Sequence, residues 1–472
     1  MCGVAGAFEI EGAQGYVQSM MFAIQHRGQE SCGLASVNAP GPISGYKGMG
    51  LVKQVFTPDV LERFAGRTAI GHVRYPTAGS SDQANSQPHI IELAQGPILA
   101  ICSNGDLINY AEKRAFLENE HGFTFKSDND AELIGRMIAF HYIVTKKTME
   151  ESIELTQKEL KGAFSSLVIF KNRMYAFRDP HGIRPLIMGR IHGENSEGTV
   201  FASEDCTFGI IGAERIREVE PGEILRLEPG KPVTTVSSVK KAQRHCVFEH
   251  IYFSRPDTKA FGELVYQVRQ KIGEALASYD NFQADPNTVV MPVPDSSNFI
   301  ALGYAQSKGI DFNMGLLRNH YVGRTFIKPA QDMRDEGVKQ KFNPLPDFFP
   351  GKRVILVDDS IVRGTSVRKI VRMLKGAGAS EVHVRIGSPK VIGPCFYGID
   401  TPTKEELIAN RMSEHEIAEF ISADSIRYMQ VEDFKTILTH FEDFCFACFN
   451  LDYIYPPSQF GTKTNAPKPT HC

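Results

Sequence analysis

Residues 354–366 read VILVDDSIVRGTS: four apolar residues, two adjacent aspartates, then a loop rich in glycine and hydroxyl side chains. Four apolar residues in succession are typical of a parallel strand that is covered on both faces. The next segment, SVRKIVRMLKGAGA, has apolar residues at helical spacing and ends in glycines. Strand, loop and helix in this order predict a parallel α/β sheet with a ligand site at its carboxyl edge.

The loop suits a phosphate monoester. A helix that begins near Thr365 or Ser366 directs free N–H groups and the positive end of its dipole at the loop. Asp358 and Asp359 can take ribose hydroxyls or Mg²⁺, which prefers oxygen ligands. The alternative is an ordinary strand, turn and helix in which Gly364 serves only the turn.

The segment VDDSIVRGTS resembles the phosphoribosyl pyrophosphate (PRPP) signature of type I phosphoribosyltransferases. That signature most often ends in two threonines, whereas this chain has Thr365 and then Ser366, which keeps the hydroxyl group. The resemblance implies PRPP binding by this whole loop, namely Asp358, Asp359, Ser360, Arg363, Gly364, Thr365 and Ser366.

Length and composition bound the possibilities. At 472 residues the chain exceeds the usual size of one core, so we expect two domains. Its 52 basic against 55 acidic residues give a net charge of -3, which indicates no general affinity for nucleic acid or membranes. No apolar run is long enough to span a bilayer and no signal-peptide pattern opens the chain, so a cytoplasmic protein is expected.

The pattern of elements changes along the chain. Up to about residue 235, short strands such as ILAICS and FSSLVIF alternate with glycine turns, with helices near 16–26 and 130–143. A polar stretch around 230–245 indicates a domain connection. From about 260, strands at TVVMPVP, KRVILVDD and EVHVRIG alternate with helices, as in a parallel α/β sheet. We therefore predict domains at 2–235 and 261–455, a connection at 236–260 and a flexible tail at 456–472.

The second residue is a cysteine. Removal of Met1 would give Cys2 both a thiol and an α-amine of pKa about 8, and such an amine can act as the base for its own nucleophile. A cysteine at this position is nevertheless most often incidental.

Four other residues have side chains or backbone groups that suit an active site. Arg74 offers a forked donor for a carboxylate, and Asp130 can hold an ammonium group. Asn104 and Gly105 offer an amide and an unshielded backbone N–H for an oxyanion. Surface salt bridges and a simple turn are the ordinary alternatives.

Together with CGVAG at the start and QHRGQES at 25–31, these residues resemble class II glutamine amidotransferase domains of the N-terminal-nucleophile fold. The resemblance implies an αββα sandwich, Cys2 as nucleophile, and an oxyanion site at Asn104 and Gly105. It also implies that Arg74 binds the α-carboxylate of glutamine and that Asp130 binds its α-amino group.

A glutaminase domain followed by a PRPP site resembles the amidophosphoribosyltransferase family, as do PVPDSSNFIALGYA, NHYVGRTFIKPAQDMR and YGIDTPTKEELIA. The resemblance implies transfer of ammonia from glutamine to PRPP, the first committed step of purine synthesis, with Ser297, Asp358 and Asp359 around Mg²⁺. A lid over PRPP is implied for Arg324, Lys328, Arg334 and Lys341. Arg318 and His320 depart from the usual lysine and arginine, so no role is assigned to them.

Nine cysteines without a secretion signal do not predict disulfides. Cys445 and Cys448 form a C-x-x-C pair, which fits zinc, an iron–sulfur cluster, a redox pair or coincidence. Cys246 and Cys395 match positions that complete a 4Fe-4S site in one branch of the family, so resemblance favours a cluster with a structural role. The remaining thiols are expected to be packing residues or, at the end of the chain, a free tail thiol: Cys32, Cys102, Cys206 and Cys472.

The family further implies a homo-oligomer, a tetramer, and feedback inhibition by purine nucleotides. Two alternatives remain at this point. Glucosamine-phosphate-forming and asparagine-forming amidotransferases share the first domain but would lack VDDSIVRGTS. A non-catalytic nucleotide sensor would bind PRPP without turning it over.

Overall fold

The computed structural model describes residues 2–38, 41–76, 81–93, 96–193, 197–319 and 341–456. Two antiparallel sheets come from the first half of this described chain. The first sheet has seven strands, in the spatial order Glu214–Glu218, Ile187–His192, Glu197–Ala202, Gly3–Phe8, Thr68–Arg74, Ser31–Val37 and Ser44–Met49. The second has six, in the order Thr234–Ser238, Glu223–Leu227, Arg173–Arg178, Gly162–Phe170, Gly96–Leu107 and His89–Leu93.

The two sheets stack face to face. Val4 and Ile70 of the first sheet pack with Ala100, Cys102 and Leu167 of the second in one buried cluster. Helix Ala13–Ala23 covers the outer face of the first sheet. Helices Asp130–Ile143 and Met149–Glu159 cover the outer face of the second. The predicted αββα sandwich is confirmed, and each sheet has an apolar contact on both of its faces.

A third sheet is parallel throughout. Its strands lie in the order Thr288–Pro292, Arg353–Asp358, Glu381–Ile386 and Ser425–Tyr428. Helices Val265–Ser278 and Asn298–Lys308 pack on one face, and helices Thr365–Gly376 and Glu414–Ile421 on the other. Within VILV, Val354 and Leu356 point to one layer and Ile355 and Val357 to the other. The four apolar residues therefore form the expected strand covered on both faces.

Two segments differ from the sequence pattern. The helix expected near 16–26 is Ala13–Ala23, because Gly12 at φ 71° starts it earlier, and a short 3₁₀ turn, Gln25–Arg27, follows. The polar stretch around 230–245 contains strand Thr234–Ser238, which extends the second sheet past residue 235. This is an edge strand with mostly exposed side chains, which explains its polar composition.

The remaining elements are short. Paired strands are His245–Cys246 with Phe444–Cys445, Lys259–Ala260 with Glu263–Leu264, and Leu316–Arg318 with Phe342–Pro344. Short helices are Val52–Val55, Pro58–Glu62, Tyr110–Ala115, Phe208–Ile211, Phe434–Ile437 and Ala447–Asn450, with a π-helical turn at Glu249–Phe253. None of the helices in the described ranges is long and apolar enough to cross a membrane.

Candidate active sites

A pocket opens at the start of the central strand of the first sheet. Cys2 precedes strand Gly3–Phe8 and is 7% exposed. The pocket is lined by Cys2, Arg74, Tyr75, Gln87, Ser103, Gly105, Asn129, Asp130, Ile134 and Ala163. Four of the five glutamine-site residues predicted from the sequence thus line one pocket, and the fifth, Asn104, contacts Cys2 directly.

Asn104 adjoins Cys2. The backbone nitrogen of Cys2 donates a hydrogen bond to Asn104 Oδ1 at 3.2 Å. The other end of this buried amide, Nδ2, has no hydrogen-bond partner among the described residues. A buried amide N–H group without a partner is costly unless a ligand uses it, so its presence beside a thiol suits an oxyanion donor.

Arg74 and Asp130 are held by their elements. Arg74 ends strand Thr68–Arg74, is buried, and forms an ion pair with Glu30. Asp130 is the first residue of helix Asp130–Ile143, and its Oδ2 accepts the backbone N–H of Leu107 at 3.0 Å. The guanidinium and the carboxylate meet in the same pocket, as the recognition of an amino acid backbone requires.

Several residues of this site have no signal in the sequence. Gln87 fixes the strand next to Asn104, because its amide donates to Ser103 O at 3.2 Å and accepts from Ser103 N at 2.7 Å. Arg27 Nε donates to the carbonyl oxygen of Cys2 at 2.9 Å. Arg27 lies in the QHRGQES stretch, but only its three-dimensional contact identifies its position beside the nucleophile.

A second site lies at the carboxyl edge of the parallel sheet. Asp358 ends strand Arg353–Asp358, and Asp359 follows. Ser297 Oγ donates to Asp358 Oδ1 at 3.2 Å, and Ser296 Oγ donates to Asp359 Oδ1 at 2.6 Å. Ser360 Oγ donates to Asp359 Oδ2 at 2.5 Å. The loops after two neighbouring strands therefore converge, as the sequence predicted for Ser297; the contribution of Ser296 was not predicted.

Both aspartates are strongly affected by burial. Burial raises the pKa of Asp358 well above its ordinary value, and the neighbouring Asp359 raises it further. Burial also raises the pKa of Asp359, against the lowering effect of hydrogen bonds from Ser296 and Ser360. A divalent cation bound here would reverse both effects, and the donors are oxygens of the kind that Mg²⁺ prefers.

The loop predicted to bind a phosphate leads directly into a helix. Gly364 precedes helix Thr365–Gly376 at φ 76°, and a Cβ there would lie 2.9 Å from Ile408 Cδ1, so the turn requires glycine. Thr365 and Ser366 are exposed at the helix N-terminus, where the first N–H groups are open to a ligand. Arg363 forms an exposed ion pair with Glu406 at 2.9 Å.

The predicted lid is mostly outside the described residues: Arg324, Lys328 and Arg334 lie there, as does His320. Lys341 lies within the described residues. Its positive charge slightly lowers the pKa of Asp358, which indicates that Lys341 lies near the two aspartates. Arg318 pairs with Asp295 at 2.6 Å, in the loop that carries Ser297.

A third cavity is lined by four cysteines. Cys246, Cys395, Cys445 and Cys448 share it with apolar side chains, including Ile183 and Phe248. Cys246 and Cys445 are direct partners on the paired strands His245–Cys246 and Phe444–Cys445. The two distant cysteines and the C-x-x-C pair are thus brought together.

The sulfurs of this four-cysteine site have a repeated local environment. The N–H of Tyr397 donates to Cys395 Sγ at 3.3 Å. Hydrogen bonds from the backbone N–H groups of Phe248 and Ala447 lower the thiol pKa values of Cys246 and Cys445. Burial nevertheless raises the pKa of Cys246 to about 11 and of Cys445 to about 12. Thiolates there need a positive centre, which a metal cluster supplies.

Among the described residues, no three His, Cys, Asp or Glu side chains are close enough to hold one metal ion. Around a single zinc ion, bonds of about 2.3 Å bring tetrahedral sulfurs to about 3.8 Å from one another. In a cubane cluster each thiolate binds a different iron, so this finding concerns a single ion rather than a cluster. Cys32 and Cys102 are fully buried in the two cores of the sandwich, and Cys472 lies outside the described residues.

Comparison with known proteins agrees with both halves of the chain. The family model described as a glutamine amidotransferase domain matches residues 72–208. Amidophosphoribosyltransferase 1 of Arabidopsis thaliana is 43% identical over 98% of this chain and 80% of its own length. The amidophosphoribosyltransferase of Synechocystis is 44% identical over 96% of this chain and 90% of its own length. This chain belongs to the amidophosphoribosyltransferase family.

Two solved structures match nearly the whole chain. The glutamine PRPP amidotransferase of B. subtilis in complex with ADP and GMP superposes with a TM-score of 0.87 at 38% identity, covering 99% of this chain and 100% of that one. A structure described as the allosteric regulatory enzyme of purine biosynthesis gives 0.89 at 39% identity, covering 100% of this chain and 99% of that one.

The predicted activity is confirmed at the level of the family. The chain is an amidophosphoribosyltransferase: it transfers ammonia from glutamine to PRPP and so produces 5-phosphoribosylamine, glutamate and pyrophosphate, the first committed step of purine synthesis. Glucosamine-phosphate-forming and asparagine-forming amidotransferases are excluded, because the relatives match the parallel sheet as well as the sandwich.

Proposed function

We propose that the site at Cys2 and the site at the carboxyl edge of the parallel sheet divide the reaction between them and that the sequence-predicted residues carry it. The observation that supports this most strongly is the pocket at Cys2, which Arg74 and Asp130 also line and beside which the buried Nδ2 of Asn104 has no hydrogen-bond partner among the described residues. Arg74 binds the α-carboxylate of glutamine and Asp130 binds its α-ammonium, which fixes the side-chain amide next to Cys2.

Glutamine hydrolysis then follows from the groups around the amide. After removal of Met1, the Cys2 amine takes the thiol proton as the sulfur adds to the amide carbon. Asn104 Nδ2 and the N–H of Gly105 donate to the oxyanion that forms. The protonated amine returns its proton to the leaving nitrogen, ammonia departs, and water hydrolyses the resulting thioester to glutamate.

The site at the carboxyl edge of the parallel sheet binds PRPP. Gly364, Thr365 and Ser366 present backbone and hydroxyl donors to the 5-phosphate at the helix N-terminus, with Ser360 and Arg363 on the same loop. Asp358 and Asp359 would hold Mg²⁺ beside Ser297, and the ion would supply positive charge against the departing pyrophosphate. Lys341 adds positive charge near the pair, and the roles of Arg324, Lys328 and Arg334 stay predictions.

The third cavity holds a 4Fe-4S cluster on Cys246, Cys395, Cys445 and Cys448. The apolar lining, the backbone N–H groups directed at sulfur and the convergence of three chain segments support this proposal. Neither half of the reaction moves electrons, so the cluster has a structural role. Anaerobically purified protein should contain about four irons per chain and absorb broadly in the visible region. Cys395→Ser should lose both properties, and the control Cys32→Ala should keep them.

Other finer predictions complete the proposal. Because one B. subtilis neighbour is described with ADP and GMP, purine nucleotides are proposed as feedback inhibitors here. A homotetramer in the cytoplasm and domain limits of 2–235 and 261–455, with a connection at 236–260 and a tail at 456–472, stay predictions from the sequence. The tail lies almost entirely outside the described residues.

Separation of the half-reactions tests the residue assignments. Cys2→Ser should abolish glutamine-dependent product formation and keep PRPP amination with added ammonium salt. Asp358→Asn combined with Asp359→Asn should lose both routes to product while glutamine hydrolysis continues. If Cys2→Ser retains glutamine-dependent turnover, or if the double variant retains PRPP amination, the corresponding assignment is wrong.

A further inference from the structure

A buried arginine connects the four-cysteine site with the glutamine site. Arg184 lies between strands Arg173–Arg178 and Ile187–His192 and is fully buried. Its Nε and Nη2 donate to the carbonyl oxygen of Tyr397 at 2.9 and 2.6 Å. Tyr397 in turn donates its N–H to Cys395 Sγ. Arg184, a residue of the sandwich, is therefore hydrogen-bonded to the loop that carries Cys395 of the proposed cluster site.

The same arginine extends to the nucleophile through a buried glutamate. Arg184 Nη1 donates to Glu249 Oε1 at 3.4 Å, and Arg27 Nη2 donates to the same oxygen at 2.8 Å. Arg27 Nη1 also donates to Glu249 Oε2 at 3.0 Å, while its Nε holds the carbonyl of Cys2. All three charged side chains are fully buried. Hydrogen bonds between charged groups are strong in a buried, low-dielectric environment. We therefore expect a displacement of Arg184 to move Glu249, Arg27 and the backbone of Cys2.

The loop also touches the oxyanion site directly. Gly398 follows Tyr397 at φ 104°, and a Cβ there would lie 3.2 Å from the carbonyl carbon of Gly105 and 3.4 Å from Arg184 Nη2. Gly398 thus packs against the backbone of Gly105, and a side chain at this position would force its neighbours to move. Arg184 itself does not line the pocket around Cys2, so it acts through these neighbours rather than on glutamine.

We propose that Arg184 is a positioning residue for glutamine hydrolysis: it holds residues 395–398 against Gly105 and, through Glu249 and Arg27, holds Cys2. A group bound by the four cysteines then sets the geometry of the glutamine site. The first part rests on the proposed glutaminase residues, and the second also rests on the proposed cluster.

Arg184→Gln, Arg184→Lys and Gly398→Ala test the first part. Because a displacement of about 1 Å can cost about 100-fold in rate, Arg184→Gln should lower kcat for glutamine hydrolysis by about 10- to 100-fold. KM for glutamine should change much less, and ammonia-dependent PRPP amination should stay at the wild-type rate, which shows that the variant is folded. Arg184→Lys should recover part of the loss.

The chain offers matched controls. Arg178 is also fully buried and donates to two backbone carbonyls, those of Val219 and Gly182, each at 2.5 Å. Gly378 has φ 105°, and a Cβ there would lie 3.2 Å from Pro350, far along the chain from the glutamine site. Arg178→Lys and Gly378→Ala should therefore leave the ratio of glutaminase to ammonia-dependent activity unchanged. Equal losses in both activities for Arg184→Gln, or the same selective loss in the controls, would overturn the proposal.

Hydrogen exchange and a double-mutant cycle test the second part. A peptide spanning residues 99–107 should exchange faster in Arg184→Gln and in Cys395→Ser than in wild type or Arg178→Lys. The two substitutions together should cost less in kcat than the product of their separate effects, because they interrupt one connection. Independent, multiplicative effects would refute the coupling. Iron analysis of the wild type tests the cluster separately, so its absence would refute the coupling and leave the positioning role to be judged by the first experiment.

Discussion

Replacement of Asn104 by alanine tests the oxyanion site most sharply. Asn104 Oδ1 accepts the Cys2 nitrogen at 3.2 Å, whereas Nδ2 has no hydrogen-bond partner among the described residues. The donor is therefore available for the transition state and makes no ground-state bond within the described chain. Loss of one such donor costs about 10²- to 10³-fold in kcat, or about 2.7–4 kcal/mol. The loss should appear in kcat for glutamine hydrolysis rather than in KM.

The assay compares glutamate release with ammonia-dependent amination of PRPP in the same preparation. Asn104→Ala should reduce only the first. Asn104→Asp keeps an oxygen at Oδ1 but replaces the donor with a second oxygen, so it should be at least as slow. Asn109 is a suitable control, because it is also buried but lies outside the pocket. Its Nδ2 donates to Glu159 O at 3.0 Å, and its Oδ1 accepts from Lys161 N at 2.9 Å. A fall in kcat of less than about tenfold in Asn104→Ala would refute the oxyanion role.

Three further outcomes are expected. Arg74→Lys keeps the charge but loses the forked donor, so KM for glutamine should rise by about tenfold or more in steady-state assays while ammonia-dependent turnover is kept; an unchanged KM would contradict the assignment. Gly364→Ala places a Cβ close to Ile408 on a residue at φ 76°, which should destabilise this loop conformation by about 1–2 kcal/mol. In pyrophosphate-release assays KM for PRPP should therefore rise, whereas glutaminase activity should not change. Equal loss of both activities would point to misfolding. Glu249→Gln removes the carboxylate that pairs with Arg27 and Arg184, so the free energy of unfolding should fall by about 3–5 kcal/mol at neutral pH. Burial raises the pKa of Glu249, but Arg27 and Arg184 lower it more, so the pKa in the folded protein is below the ordinary value of 4.5. The stabilisation by the Glu249 carboxylate is therefore complete above about pH 4.5 and is lost as the pH falls through the pKa of the folded state. The difference in urea midpoint between wild type and Glu249→Gln should therefore narrow as the pH falls below about 4.5, and a constant difference would refute this account.

Local sequence was sufficient where the pattern itself determines the element. Residues 354–366 predicted the strand Arg353–Asp358 and the helix that begins at Thr365, because apolar runs and glycines act over a few residues. The helix expected at 130–143 is observed as Asp130–Ile143 for the same reason. Strand Thr234–Ser238 gave no such signal, since an edge strand needs few apolar residues.

The contacts that join the sites could not be predicted. Arg27 meets Glu204 and Glu249, which lie 177 and 222 residues away in the chain. Arg184 meets Tyr397 at a separation of 213 residues. Such pairs follow from how the sandwich and the C-terminal segments pack, and neither residue type nor spacing reports that packing. Family resemblance predicted substrate-binding roles for particular residues, whereas only the fold reveals which side chains contact those residues.

The central claim is that one chain couples glutamine hydrolysis to PRPP amination. The most direct measurement is parallel release of glutamate and pyrophosphate by anaerobically prepared protein with glutamine, Mg²⁺ and PRPP, repeated without PRPP. We expect equal release of both products, with glutamate release stimulated by PRPP. Glutamate without pyrophosphate would contradict the assigned acceptor, and release of neither product by protein that contains iron would indicate a sensor rather than an enzyme.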